Sequence, residues 1–151
     1  MTADDFGAAE WIDRGILQAV DSGQITTVSA LTNYPRARDA IDRTRASKAH
    51  VGIGIHLNIT SGSPLTAPGD LGRLCDESGR FLGLRNLLAN INRIDVDSIA
   101  RELRAQVEIV RALGIVPDHL SSHHNILAYH GDLQRVMIAL EHEFDLPVRT
   151  P

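Results

Sequence analysis

The sequence predicts an α/β domain, a largely parallel sheet wrapped by helices. Three observations carry that reading. Apolar residues switch between helical and strand periods along the chain, the two kinds of segment alternate, and the polar residues with chemical potential fall near the ends of strand segments. In such a sheet the loops after the strands share one rim. With 151 residues, 43% of them hydrophobic, the chain reads as one domain over residues 1–151 with enough apolar material for a core.

At the amino end, MTADDFG sets Asp4 and Asp5 side by side, just after the place of a first strand. Frayed termini commonly carry such acids; the alternative is a metal or proton-transfer site. Trp11, Ile12, Ile16, Ala19 and Val20 recur at three- and four-residue spacings and predict a helix from about Glu10 to Asp21, ended by Ser22 and Gly23. ITTVSALT is rich in β-branched residues and predicts a strand. Ala37, Ala40 and Ile41 mark a short amphipathic helix with Pro35 suited to its first turn. VGIGIHLNIT is the next strand. From Ser61 to Arg80, glycine, proline and serine interrupt every period, so this stretch reads as a long loop of the kind that often covers or lines a site. Leu84 to Ile91 suits a short helix. Val96, Ile99, Ala100, Leu103, Val107, Val110 and Leu113 form a sustained helical stripe, capped by Asp95 or Asp97 and stopped at Gly114. IVPDHLSSHHNI predicts a strand running into a loop, Leu133, Val136, Met137 and Leu140 a further helix, and LPVRTP the beginning of one more strand.

Bulk properties exclude several function classes. A formal net charge of −4, a pI near 5.9 and scattered Lys and Arg residues argue against a nucleic-acid partner. No apolar run approaches the roughly 20 residues of a membrane-spanning helix, and no secretory leader pattern opens the chain. The single cysteine, Cys75, cannot form an internal disulfide, which fits a reducing compartment, and the protein is expected to be cytoplasmic.

The remaining signal is a dispersed set of acids and imidazoles. Asp4 and Asp5 follow what would be the first strand, His56 lies near the end of GIGIHL, and His123 and His124 close PDHLSSHH. Three strands would thus deliver carboxylate and imidazole to one rim, a donor set that suits zinc and other divalent first-row ions. Taken singly, each has a plainer reading: His56 bonded to a backbone carbonyl, the histidine pair in a solvated loop. Phe6, Trp11, Tyr34 and Phe81 read as packing elements before they read as platforms for a sugar ring.

Five blocks, ADDFG, RGILQAVDSGQITTVSAL, GIGIHLNITSGSPL, DESGRF and PDHLSSHHN, occur in an order and at spacings that resemble the YdjC-like carbohydrate deacetylases, a family including chitooligosaccharide deacetylases and a hopanoid-associated branch. The resemblance covers essentially the whole chain. It implies a (β/α) barrel-like fold and a divalent metal, Mg2+ or Zn2+, held by Asp5, His56 and His123. It implies Asp4 as the base acting on water and His124 as the acid for the leaving amine. The implied substrate is a small N-acetylated sugar or oligosaccharide, which loses acetate by amide hydrolysis.

The chain also departs from the family. Where members read HLDSHHHVH, this sequence has Ser121 for an acid, and Asn125 and Leu127 for histidines. Members are longer, and only Met1 to Ala3 precede the acids where the family has a hydrophobic first strand. The expectation is a barrel incomplete at both ends, with exposed sheet edges that favour a homo-oligomer. Two rivals to the deacetylase follow: a noncatalytic remnant that keeps the fold with metal or sugar binding, and a different metal hydrolase acting on phosphate esters. The second lacks any Gly-rich phosphate cradle near the motifs.

Overall fold

Four parallel strands form a sheet in the order in which they occur along the chain: β1 (Thr2–Phe6), β2 (Thr27–Ala30), β3 (Gly52–Leu57) and β4 (Leu120–Ser122). A computed structural model describes this arrangement for residues 1–46 and 50–149. Helices α1 (Glu10–Asp21), α2 (Ala37–Ala46), α3 (Leu84–Asn90) and α4 (Val96–Ala112) lie between the strands, and α5 (Gly131–Phe144) follows β4. Parallel strands paired in sequential order, with helices between them, have the winding of a (β/α) barrel. Here they make an open arc, which Val148 extends by a parallel bridge to Leu120. The predicted strand LPVRTP therefore has its start in place; Thr150 and Pro151 lie outside the described residues.

Local chemistry explains the elements. Asp95 caps α4, its side chain accepting the amide protons of Asp97 and Ser98. Asp97, the other cap candidate, sits in the first turn, where a carboxylate favours the helix dipole. The 61–80 loop contains no strand or α-helix. It does contain two single 3₁₀ turns, Pro68–Asp70 and Gly72–Leu74, and a bridge between Cys75 and Phe81 closes its far end.

Two expectations change. The first strand is not reduced to a stub: Thr2 stands opposite Thr27 and Ala3 opposite Val28, so Asp4 and Asp5 lie within β1 rather than after it. Pairing with β2, rather than hydrophobicity of its own, defines this strand. On α1 the apolar stripe is also displaced. Trp11 is 70% exposed, while Asp13 is fully buried and accepts the backbone N–H of Gly7 at 2.7 Å. A buried carboxylate is tolerated there because it satisfies that amide and faces Arg36 at 3.5 Å.

Side chains on the two faces of the sheet differ sharply. Register pairs Val28 with Ile53 and Ile55 with both Ala30 and Leu120, so these residues share one face. They join Leu103, Val107 and Val110 of α4, Ile41 of α2 and Leu133 of α5 in one core cluster. Each fully buried aliphatic side chain of this kind contributes roughly 1.5–3 kcal/mol. The other face carries Thr27, Ser29, Gly52, Gly54, His56 and Ser121, alternating with the first set along the same strands.

Candidate metal centre

The site begins with an irregularity in β1. Ala3 pairs with Val28 and Phe6 with Ala30, so Asp4 and Asp5 together stand opposite Ser29 alone. This is a β-bulge, and Asp5 takes the left-handed conformation within it, with φ 62°. Strict alternation would send two adjacent acids to opposite faces of the sheet. The bulge instead lets Asp4 face Arg149 while Asp5 faces the histidines. Gly7 completes the turn: its φ is 91°, and a Cβ there would lie 2.7 Å from the Ala37 Cα. Only glycine fits at that point, which gives ADDFG its last letter a physical reason.

Two imidazoles converge on Asp5. His123 Nδ1 lies 2.9 Å from its Oδ1, and His56 Nε2 lies 3.5 Å from the same oxygen. One donor atom from each of Asp5, His56 and His123 falls within 4.8 Å of the others. The two imidazoles meet edge to face, their centroids 5.3 Å apart. Asp5 Oδ1 is buried yet receives no well-directed hydrogen bond, despite the short approach of His123. A buried anionic oxygen without a directed donor, facing two ring nitrogens, has the character of a ligand set for a cation.

Ser121 fixes one of those rings. Its Oγ is 2.7 Å from His56 Nδ1 and makes a longer 3.4 Å contact to the Ile55 carbonyl. A hydroxyl proton turned toward that carbonyl leaves a lone pair for the His56 Nδ1–H. Nε2 is then the unprotonated ring atom, and it is the one that faces Asp5. Where the family carries an acid, the hydroxyl of Ser121 occupies the outer contact of this histidine.

Electrostatics favour the same set of charges. The His123 contact, ahead of every other influence, holds the Asp5 carboxyl below the ordinary carboxylate value; burial opposes this and is overcome. For His56, burial dominates and pushes its pKa down to about 4 against the upward pull of Asp4. At neutral pH the set therefore offers a carboxylate and a neutral His56, the forms that bind divalent cations.

Asp4 and His124 stand beside the cluster. Arg149 grips Asp4 through two hydrogen bonds of 2.8 and 2.7 Å. Burial pushes Asp4 up, but the hydrogen bonds and charge of Arg149, with the nearby His56 and Ser29, outweigh it and leave the acid lowered. His124 stacks at a tilt on His123, with centroids 3.9 Å apart, and its Nδ1 lies 3.0 Å from Thr60 Oγ1. Burial first, and then the charge of His123, lower its pKa. Left-handed backbone at His124 and Asn125, with φ of 56° and 51°, turns the chain sharply after β4 and sets the two histidines next to each other.

Arg149 and Thr60 are partners that the motifs did not reveal. Arg149 obeys the same rule that located His56, since it directly follows the bridged residue Val148 at the sheet edge. Of the remaining departures, Leu127 is buried in the core and Asn125 is exposed. Phe6 and Phe81 are buried as packing elements. Among the described residues, no helix is long and apolar enough to cross a membrane.

Comparison with known proteins identifies relatives of the chain and of its fold. The model of the YdjC-like protein family matches residues 1–151. A carbohydrate deacetylase of Thermoanaerobacter pseudethanolicus is 30% identical over 99% of this chain and 59% of its own length. A carbohydrate deacetylase of Geobacillus stearothermophilus is 34% identical over 99% of this chain and 58% of its own. A crystal structure from Enterococcus faecalis, of a protein provisionally assigned to cellobiose-phosphate cleavage, superposes with a TM-score of 0.92 at 30% identity, covering 99% of this chain and 57% of that one. The chain thus spans less than two thirds of the length of each of these relatives.

Proposed function

Because the chain belongs to the YdjC-like family, we propose that it is a metal-dependent hydrolase that removes acetyl groups from N-acetylated sugars or oligosaccharides, releasing acetate and a free amine. The observation that carries this reading is the convergence of Asp5, His56 and His123 around a buried oxygen that lacks a directed donor. The names of the relatives supply the substrate class.

Asp5, His56 and His123 would hold Mg2+ or Zn2+, which supplies Lewis-acid polarisation of the acetamide carbonyl and makes water more acidic. Asp4 is the proton acceptor in this reading. Its lowered pKa keeps it ionised at neutral pH, and the two-pronged grip of Arg149 fixes its direction. His124 is the proton donor to the departing amine; with its pKa lowered, it gives up a proton readily once it holds one. Thr60 anchors its Nδ1.

Purified protein assayed for bound metal and for acetate release from diacetylchitobiose and N-acetylglucosamine tests the proposal. Metal together with acetate release is the expected result. Metal without acetate release would favour the noncatalytic remnant, and absence of both would remove the site assignment.

A further inference from the structure

Helix α4 carries polar side chains inside its buried face. Glu102 and Gln106, one turn apart, are both fully buried, and Gln106 Nε2 donates to Glu102 Oε1 at 2.8 Å. Their other side-chain bonds go to the chain that leaves β3. Gln106 Oε1 accepts the Asn58 N–H at 2.9 Å while its Nε2 donates to the Asn58 carbonyl at 2.7 Å, so one side chain serves the first residue past β3 as a neighbouring strand would. Glu102 accepts the N–H groups of Leu65 and Thr66 at 2.9 to 3.1 Å and the Thr66 hydroxyl at 2.6 Å. Burying such groups costs free energy unless they are hydrogen-bonded, and here the loop supplies the partners.

Asn58, also fully buried, carries this anchorage on to Thr60. Its Oδ1 accepts the backbone N–H groups of Thr60 at 2.9 Å and Ser61 at 3.1 Å, and its Nδ2 donates to Asn33 Oδ1 at 3.0 Å and to the Ser61 carbonyl at 2.9 Å. Backbone donors on one side and acceptors on the other leave the carboxamide a single orientation. The same Oδ1 accepts the Thr60 hydroxyl at 3.1 Å, and Thr60 Oγ1 stands 3.0 Å from His124 Nδ1. Thr60 is buried, whereas His124 is exposed. An exposed imidazole is thus tied to the interior through one hydroxyl.

We infer that Asn58, clamped by Gln106, is a positioning residue that sets the Thr60 hydroxyl against His124 and so fixes the direction of that ring. Without the Asn58 carboxamide, the turn from Asn58 to Ser61 loses the oxygen that gathers three of its donors, and Thr60 no longer has a fixed place beside the ring. The catalytic part of this inference rests on His124 being the proton donor of the proposed deacetylation.

Two measurements test it. In nitrogen NMR of the intact chain at one fixed pH, the His124 ring signals should move in Thr60→Val, move likewise in Asn58→Ala, and stay near their parent positions in Thr60→Ser, which keeps the hydroxyl. Signals that move in Thr60→Val but not in folded Asn58→Ala would break the link and overturn the inference. In kinetics of the metal-loaded chain, Thr60→Val and Asn58→Ala should each lower kcat about tenfold, the scale of one lost hydrogen bond, with KM and metal content unchanged and Thr60→Ser within about twofold of the parent. The double variant should also lose about tenfold, because both changes break one connection; a loss of about a hundredfold would show that Asn58 acts independently of Thr60 and would overturn the inference. Should Asn58→Ala fail to fold, Gln106→Leu, which removes the clamp on the Asn58 backbone, takes its place in both series with the same expected results. If the parent chain releases no acetate, the deacetylase reading fails, and the NMR series alone decides whether Asn58 sets Thr60 against His124.

Discussion

The two faces of the sheet use alternate residues of the same strands and are made for different purposes. On the helix-covered face, Val28, Ala30, Ile55 and Leu120 are fully buried and belong to one core cluster, so their identity is set by volume and apolarity. On the other face, Ser29, His56, His119 and Ser121 are tied into directed hydrogen bonds, and Gly52 and Gly54 are small because the side chains of Asp118 and His119, just before β4, lie over them. A parallel sheet covered on both faces by helices reads as continuous apolar runs. The alternation Gly-Ile-Gly-Ile-His-Leu in β3 shows instead that stability and chemistry were divided between faces, one residue at a time.

Substitutions on each face should separate these roles. The largest effect is expected on the apolar side: Ile55→Ala should lower unfolding free energy by about 2–5 kcal/mol in urea titration, through lost burial and a residual cavity. Metal affinity of the fraction that stays folded should be little changed. A comparable loss of metal binding in folded Ile55→Ala protein would show that the faces are not independent.

Acid should act through the polar face. Burial depresses His56 to about 4 in the folded protein from 6.5, so the unfolded chain takes up more protons between those values. Metal-free protein should be most stable above about pH 6.5 and lose stability progressively toward pH 4, on the order of a few kcal/mol. Thermal melts across that range check this, and His56→Gln should flatten the slope. A slope unchanged by that substitution would assign the acid sensitivity elsewhere.

A smaller change probes the hydroxyl that replaces the family's acid. Ser121→Ala removes the partner of His56 Nδ1 and should weaken metal binding by about 10–100-fold while changing stability little. Ser121→Asp tests the converse, since a carboxylate at that contact should strengthen binding. The smallest expected effect lies far from both faces: Asp95→Ala should destabilise the fold by about 1 kcal/mol through loss of the α4 cap, and leave metal affinity as it was.

How much could be read beforehand follows the same division. The bounds of α1 and α4 were legible because a continuous apolar stripe and clear stop signals define them. The convergence of Asp5, His56 and His123 was legible as residue types near strand ends and as motifs. What made Asp4 and Asp5 usable together was not: the bulge at Asp5 is a tertiary feature, and simple alternation predicts the wrong face for one of the two acids. Arg149 lies 145 residues from Asp4 in the chain, a separation at which no local pattern signals contact. The burial of Asp13 in place of Trp11 was hidden for a related reason, because a backbone amide at Gly7 outweighs the hydrophobic stripe.

Binding of a single divalent ion by the purified chain, followed by equilibrium dialysis with Mg2+ and Zn2+ on the parent protein and on Asp5→Ala, His56→Ala and His123→Ala, tests the central claim most directly. Circular dichroism would confirm that each variant is folded. The account predicts one equivalent on the parent and its loss in all three variants. An equivalent retained undiminished by all three would contradict it.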